Sequence, residues 1–130
     1  MNLNELYTIA DKNEIDVYHY PLQPLNSMAT RKYIAIDVDQ ITSTVHDKEL
    51  LAHELGHCET GAFYTGTSPL ELRSQKEYKA DKWAITKLIP FDELKYAMEN
   101  SIDTIKELAD YFDVSERFVI KALAFYSKIS

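Results

Sequence analysis

The stretch that decides the fold is Ala52-His53-Glu54-Leu55-Gly56-His57-Cys58, an H-E-x-x-H motif inside a run of helix-forming residues. Four residues of α-helix turn the chain by about 400° and advance it by about 6 Å, so His53 and His57 project from one face. Glu54 lies three residues before His57 and shares that side, whereas Leu51 and Leu55 give the helix a separate apolar side to bury. The motif therefore predicts a largely buried helix that presents two imidazoles and a carboxylate together.

This set of side chains indicates a metal site. Two imidazoles at this spacing can both reach one Zn²⁺ at about 2.0–2.1 Å, which leaves room for a third protein ligand and a water. The ion lowers the pKa of that water to about 7, and Glu54 is placed to take its proton. Buried imidazoles and carboxylates need a partner, which argues against two solvated surface histidines. We therefore predict His53 and His57 as metal ligands and Glu54 as the catalytic residue. One Zn²⁺ per chain is expected, with Mn²⁺ or another divalent ion as the alternative.

Length and composition predict a single domain over residues 1–130. The chain is 45% hydrophobic, and its net charge of −7 gives no electrostatic reason to expect direct nucleic-acid binding. The single cysteine, Cys58, cannot form an internal disulfide, which suits a reducing compartment. We find neither a signal-peptide pattern nor a run of about 18 apolar residues. A cytoplasmic protein without a membrane-spanning segment is predicted, and the oligomeric state stays open.

Hydrophobic periodicity predicts short strands in the N-terminal third of the chain and a helical C-terminal half. Ser43 or Thr44 is the expected N-cap of the motif helix, and Ser68 that of the following helix, with Pro69 as its first residue. The strands are predicted at residues 15–20 and 33–38. Besides the motif helix, the helices are predicted at residues 3–12, 69–89, 92–100, 104–112 and 116–127.

The helix at 69–89 is the economical source of a third metal ligand. Glu77 lies on its apolar line, seven residues after Leu70 and seven before Ala84. A carboxylate on a buried face is costly unless a cation pairs with it, and a metal ion would do so. Asp81, one turn later on the same side, could accept a hydrogen bond from a ligand imidazole without itself binding the metal. A salt bridge from Asp81 to an arginine or lysine is the equal alternative.

The segments LLAHELGHC and EYKADKWAITKLIP resemble the ImmA/IrrE family of metallo-endopeptidases. In that family the two motif histidines and the glutamate of an E-x-x-A-[DN]-x-[FW]-A helix bind zinc, which corresponds to His53, His57 and Glu77 here. Glu54 would be the general base or acid. The resemblance implies an α+β fold: a small zincin-like domain in which a short mixed or antiparallel sheet packs on the motif helix. It further implies a gluzincin-like third ligand and the short phage or mobile-element type. It also implies a protein substrate, namely a helix-turn-helix transcriptional repressor whose cleavage would give an anti-repressor role.

In zincins the substrate usually extends the sheet along an edge strand beside the motif helix. We expect that strand at Ile34, Ala35, Ile36 and Asp37.

In the C-terminal segment, residues 91–130, the predicted helices and the turn between them are spaced as in a helix-turn-helix. This segment holds 8 acidic and 5 basic residues, a net charge of −3, and lacks the basic face on which DNA affinity depends. We interpret these helices as closing the core or docking a partner. Two alternatives to the endopeptidase stay open: a non-catalytic module that binds the repressor on the same fold, and a DNA-binding regulator with a structural metal.

Overall fold

The computed structural model describes residues 1–22, 27–65 and 67–129. Within them, a three-stranded sheet and six α-helices form an α+β fold with a helical C-terminal half, which confirms the predicted class. In chain order the elements are α1 (Leu3–Lys12), β1 (Asp16–His19), β2 (Ser27–Ala29), β3 (Tyr33–Ile36), a 3₁₀ turn (Val38–Gln40), α2 (Thr44–Thr60), α3 (Leu70–Leu88), α4 (Phe91–Glu99), α5 (Ile105–Phe112) and α6 (Glu116–Ile129).

The sheet is mixed and has the strand order β1-β3-β2. β1 pairs with β3 in parallel, and β2 pairs with β3 antiparallel, with Met28 opposite Ala35. The tight turn between β2 and β3 is closed by a hydrogen bond from the Thr30 N–H to the Tyr33 carbonyl oxygen. β2 therefore lies at one edge of the sheet.

The expectation that Ile34, Ala35, Ile36 and Asp37 form the substrate-binding edge strand is wrong. β3 lies between β1 and β2, so its backbone groups on both sides are used within the sheet. Ile34, Ala35 and Ile36 are fully buried, as is typical of a central strand covered on both faces. Asp37 is also buried, and its Oδ1 accepts a hydrogen bond from the Asp39 N–H at the start of the 3₁₀ turn.

α2 is the central helix and contacts α1, the sheet and α3. Its N-cap is Ser43, whose Oγ accepts a hydrogen bond from the His46 N–H at 3.1 Å. It ends at Gly61, which adopts the left-handed conformation (φ +66°) that glycine tolerates without strain. Leu51 and Leu55 are fully buried, so the motif helix is anchored in the core of the fold.

The start of α3 differs from the prediction. Pro69 occupies the cap position and Leu70 is the first helical residue, so Ser68 does not cap the helix. The Ser68 hydroxyl instead accepts a hydrogen bond from the Thr65 N–H within the preceding loop. A fixed proline φ suits either position, which is why the sequence pattern alone could not separate them.

The C-terminal helices are joined to α2 by polar contacts of two of its residues, Lys48 and Glu49. The ammonium of Lys48, whose side chain is 2% exposed, donates to the Phe112 carbonyl oxygen at 3.4 Å and lies 3.6 Å from a carboxylate oxygen of Asp113. One residue later on α2, the Glu49 carboxylate accepts hydrogen bonds from the Ser115 N–H and hydroxyl at 2.7 and 3.0 Å. These contacts join the motif helix to the turn between α5 and α6.

Candidate metal centre

α2 presents the two motif histidines side by side, as the helical period requires. Their ring centroids are 4.9 Å apart with the planes nearly perpendicular. His57 is buried and His53 half-buried, so the pair faces a partly enclosed space. The helix therefore brings two imidazoles together before any other element contributes.

α3 approaches α2 at Gly56, the glycine inside the motif. A Cβ built on Gly56 would lie 2.5 Å from the Ala80 carbonyl oxygen and 2.9 Å from its Cα. No other residue fits there without moving one of the helices. This close approach places Glu77, one turn before Ala80, directly against the two histidines.

The Glu77 carboxylate bridges the two rings. Its Oε2 lies 2.8 Å from His53 Nε2, and its Oε1 lies 3.0 Å from His57 Nε2. Each of the three residues offers one ligand atom, and these atoms all lie within 4.8 Å of one another. Hydrogen bonds from the two imidazoles hold the pKa of Glu77 well below its ordinary value. Two imidazole nitrogens and a carboxylate oxygen form a donor set that suits zinc.

The outward-facing nitrogens of both rings are hydrogen-bonded to oxygens. His53 Nδ1 lies 2.8 Å from Asp81 Oδ1, and His57 Nδ1 donates to the Ala62 carbonyl oxygen. Such bonds keep a proton on Nδ1 of each ring, so a ring that gave up its Nε2 proton would direct the freed lone pair toward Glu77. The three-residue cluster thus fits a divalent ion in donor type and in the orientation of its rings.

The negative groups around the rings favour their charged forms. For His53, burial lowers the pKa, but hydrogen bonds to Asp81 and Glu77 and the charge of Glu54 outweigh it and raise the pKa to about 10. For His57, burial acts in the same sense, and the hydrogen bonds to Glu77 and to the Ala62 carbonyl again leave the pKa raised. A cation at this point of the structure is therefore favoured.

Glu54 lies beside this cluster and is buried. Its Oε2 accepts a hydrogen bond from the Ser27 hydroxyl of β2 at 2.7 Å. Burial raises the pKa of Glu54, and the Ser27 hydrogen bond and the neighbouring imidazoles only partly offset it. A carboxylate whose pKa is shifted upward by burial is well suited to accept and return a proton near neutral pH.

One cavity of about 600 Å³ is lined by the side chains of His53, Glu54, His57 and Glu77. Aromatic and apolar groups form part of its wall, and the Tyr64 hydroxyl donates a hydrogen bond to Glu77 Oε1 at 2.9 Å. The described residues that line the cavity are Ser27, Met28, Ala29, His53, Glu54, His57, Phe63, Tyr64, Arg73 and Glu77.

A peptidase family model described as the IrrE N-terminal-like domain matches residues 5–124. The chain belongs to this family. The match covers the sheet, the motif helix and the first nine residues of α6, and it identifies the chain as a metallopeptidase-type domain. No curated protein matches the chain. Within the described residues, none of the helices combines the length and apolarity that a membrane span requires.

Within this IrrE-like domain, the structure brings together the residues that the sequence singled out. His53, Glu54, His57 and Glu77 line one cavity. Asp81 makes both of the contacts that the sequence offered as alternatives, since its Oδ1 lies 2.8 Å from His53 Nδ1 and 2.8 Å from Lys121 Nζ.

Two residues that line the cavity, Ser27 and Arg73, were not predicted from the sequence. Arg73 could have been found, because it lies four residues before Glu77 and so shares its helix face. Ser27 gave no comparable indication, since only the folding of the sheet brings β2 to the motif helix.

Proposed function

We propose that this chain is a zinc-dependent endopeptidase that hydrolyses a peptide bond in a protein substrate. One observation carries the proposal: the Glu77 carboxylate spans the Nε2 atoms of His53 and His57, while the buried carboxylate of Glu54 opens into the same cavity. A structural zinc site is usually closed by four protein ligands. Three candidate ligands beside a buried carboxylate and an open cavity favour a catalytic site.

His53, His57 and Glu77 would hold the ion. When bound, a divalent ion supplies Lewis acidity, which acidifies water and polarises a carbonyl oxygen. Asp81 and the Ala62 carbonyl hold the two rings in the required tautomer. Tyr64 steadies the Glu77 carboxylate through its hydroxyl.

Glu54 moves the proton. Its carboxylate accepts a proton from the attacking water and passes it to the nitrogen of the leaving amine, as general acid–base catalysis requires. The Ser27 hydroxyl holds one oxygen of Glu54, which leaves the other oxygen for the proton. The raised pKa of Glu54 supports this role, because a more basic carboxylate takes up the proton more readily.

The substrate would lie along β2 rather than β3. Ser27, Met28 and Ala29 form a strand at the edge of the sheet, and all three line the cavity. An extended peptide can add to such an edge through main-chain hydrogen bonds. A peptide in this position would have its scissile bond close to Glu54, because Ser27 contacts Glu54 directly.

The family supports a metallopeptidase, and the resemblance to its phage and mobile-element members supports a helix-turn-helix repressor as the substrate. Cleavage of such a repressor would switch genes on. The test is Glu54→Gln, with Glu59→Gln on the exposed side of α2 as the matched control.

We expect Glu54→Gln to keep its zinc, measured by metal analysis, and to lose both repressor cleavage and derepression of a reporter gene. The Glu59→Gln variant should behave as wild type. If Glu54→Gln still derepresses the reporter, the chain acts by binding the repressor, and the endopeptidase proposal is wrong.

A further inference from the structure

Arg73 lies in the first turn of α3, four residues before Glu77 and on the same helix face. Its side chain lines the same cavity as Glu54 and the two histidines. Among the described residues that line this cavity, it is the one lysine or arginine. Arg73 has no role in the mechanism proposed above.

The guanidinium of Arg73 lacks a protein partner in the part of the chain that the structure describes. Its Nε is enclosed, yet no described group accepts a hydrogen bond from it. No described carboxylate lies within ion-pair distance of the side chain either, whereas Lys48 and Lys121 each have one. An arginine stays charged at all ordinary pH values, so an enclosed donor without an acceptor is costly. A ligand that supplies the acceptor would remove that cost.

The charges around the cavity indicate what the ligand is. The carboxylates of Glu54 and Glu77 together balance a divalent ion, so Arg73 leaves one positive charge without a counterpart. Met28 and Phe63, which also line the cavity, contribute no charge of their own. A carboxylate matches the planar fork of a guanidinium, and in a peptide substrate it comes from aspartate or glutamate.

We propose that Arg73 is a specificity-determining residue that binds an acidic side chain of the substrate close to the scissile bond. This inference rests on the proposed peptidase function. It predicts that the cavity prefers a peptide with a carboxylate over one with the corresponding amide.

The test uses the zinc-loaded protein and three peptide hydroxamates that bind the metal and differ in one side chain: glutamate, glutamine or lysine. Each is acetylated at the N-terminus and carries the hydroxamate in place of its C-terminal carboxylate, so the glutamate compound has its only carboxylate on the side chain. Isothermal titration calorimetry measures affinity without relying on catalysis. We expect wild type to bind the glutamate compound about tenfold or more tightly than the glutamine compound, and the lysine compound most weakly.

Arg73→Met should lose this preference and keep its affinity for the glutamine compound, and Arg73→Lys should keep part of it. The matched control is Arg31→Met. Arg31 lies over the Phe63 ring, 5.9 Å from its centroid, but does not line this cavity, so that variant should keep the full preference. If Arg73→Met does not fold, the affinities of the wild-type protein for the three compounds still test whether the cavity prefers a carboxylate.

Equal affinity of wild type for the three compounds would overturn the role of Arg73 and leave the metal centre standing. No binding of any compound would overturn the metal centre and this inference together. The glutamate preference in a protein that cuts no repressor would support Arg73 and contradict the substrate proposed above.

Discussion

Gly56→Ala should separate α3 from α2 and so weaken the metal centre. In most helix interiors this substitution is stabilising by about 1 kcal/mol, because alanine is the better helix former. Here the new methyl carbon would lie 2.5 Å from the Ala80 carbonyl oxygen, whereas ordinary contacts begin at 3.4 Å. The helices must therefore move apart by about 0.9 Å.

Two terms set the size of the effect. Overpacking costs about 1–3 kcal/mol, and we expect the upper end because the clash is with backbone that cannot rotate away. After the gain in helix propensity, the net loss in the free energy of unfolding is about 2 kcal/mol, or about 6–8 °C in Tm. Glu77 moves with α3, and a displacement of about 0.9 Å exceeds the few tenths of an ångström that zinc ligands tolerate. Zinc affinity should fall about tenfold or more.

Thermal unfolding of the metal-free protein and zinc titration against a competing chelator measure the two effects separately. Gly61→Ala is the matched control, because a Cβ there meets nothing within 4 Å and only the left-handed backbone is strained. It should lower the free energy of unfolding by about 1–2 kcal/mol and leave zinc affinity unchanged. A Gly56→Ala protein as stable as wild type, with wild-type zinc affinity, would refute the claim that this contact positions Glu77.

Three further predictions concern metal binding and pH. Glu77→Ala should reduce the zinc content of purified protein sharply from about one ion per chain, whereas Ala at Glu71, which is exposed on the first turn of α3, should not; equal zinc in both variants would contradict the ligand assignment. Asp81→Asn should lower zinc affinity by about 10–100-fold, measured by chelator competition, because the amide cannot hold His53 as the carboxylate does. Tyr126→Phe should cost about 1 kcal/mol in urea unfolding, since the Tyr126 hydroxyl donates to the buried Ile89 carbonyl oxygen at 2.7 Å. Burial raises the pKa of Tyr126, so its contribution is complete below about pH 10 and is lost as the pH rises through the folded-state pKa. The alkaline loss of stability should be smaller in Tyr126→Phe, and an unchanged alkaline limb would count against this assignment.

The residues of the candidate metal site could be predicted from the sequence because helical geometry is local. His53 and His57 share a face wherever four residues of helix form, and no tertiary information is needed. Glu77 was selected because a carboxylate on the apolar line of an amphipathic helix requires a partner. That line is buried at Ala84 but not at its other end, where Leu70 is 72% exposed. The helical period could not predict the contact between Gly56 and Ala80, which joins the two helices in the structure.

Strand order was not accessible in the same way, because it depends on pairing between distant segments. The unbroken apolar run Ile34-Ala35-Ile36 did contain an indication of a central strand, since an edge strand usually alternates. β2 is only three residues long and lies in a polar segment. No hydrophobic pattern therefore predicted its pairing with β3 or the contact between Ser27 and Glu54. The Ser68 cap failed for another reason, which is that proline fits on either side of the helix boundary.

The buried ammonium of Lys48 makes the half of the chain that carries the candidate metal site dependent on the other half. Its acceptors, the Phe112 carbonyl and the Asp113 carboxylate, come from a segment more than sixty residues later. A shortened form that ended before α5 would remove both partners of an ammonium five residues from His53, together with buried core residues such as Leu108 and Val119. We expect such a truncation to unravel the helix that carries the histidines, even though the removed residues touch neither ring. A minimal version of this domain for engineering must therefore retain the junction at residues 112–115.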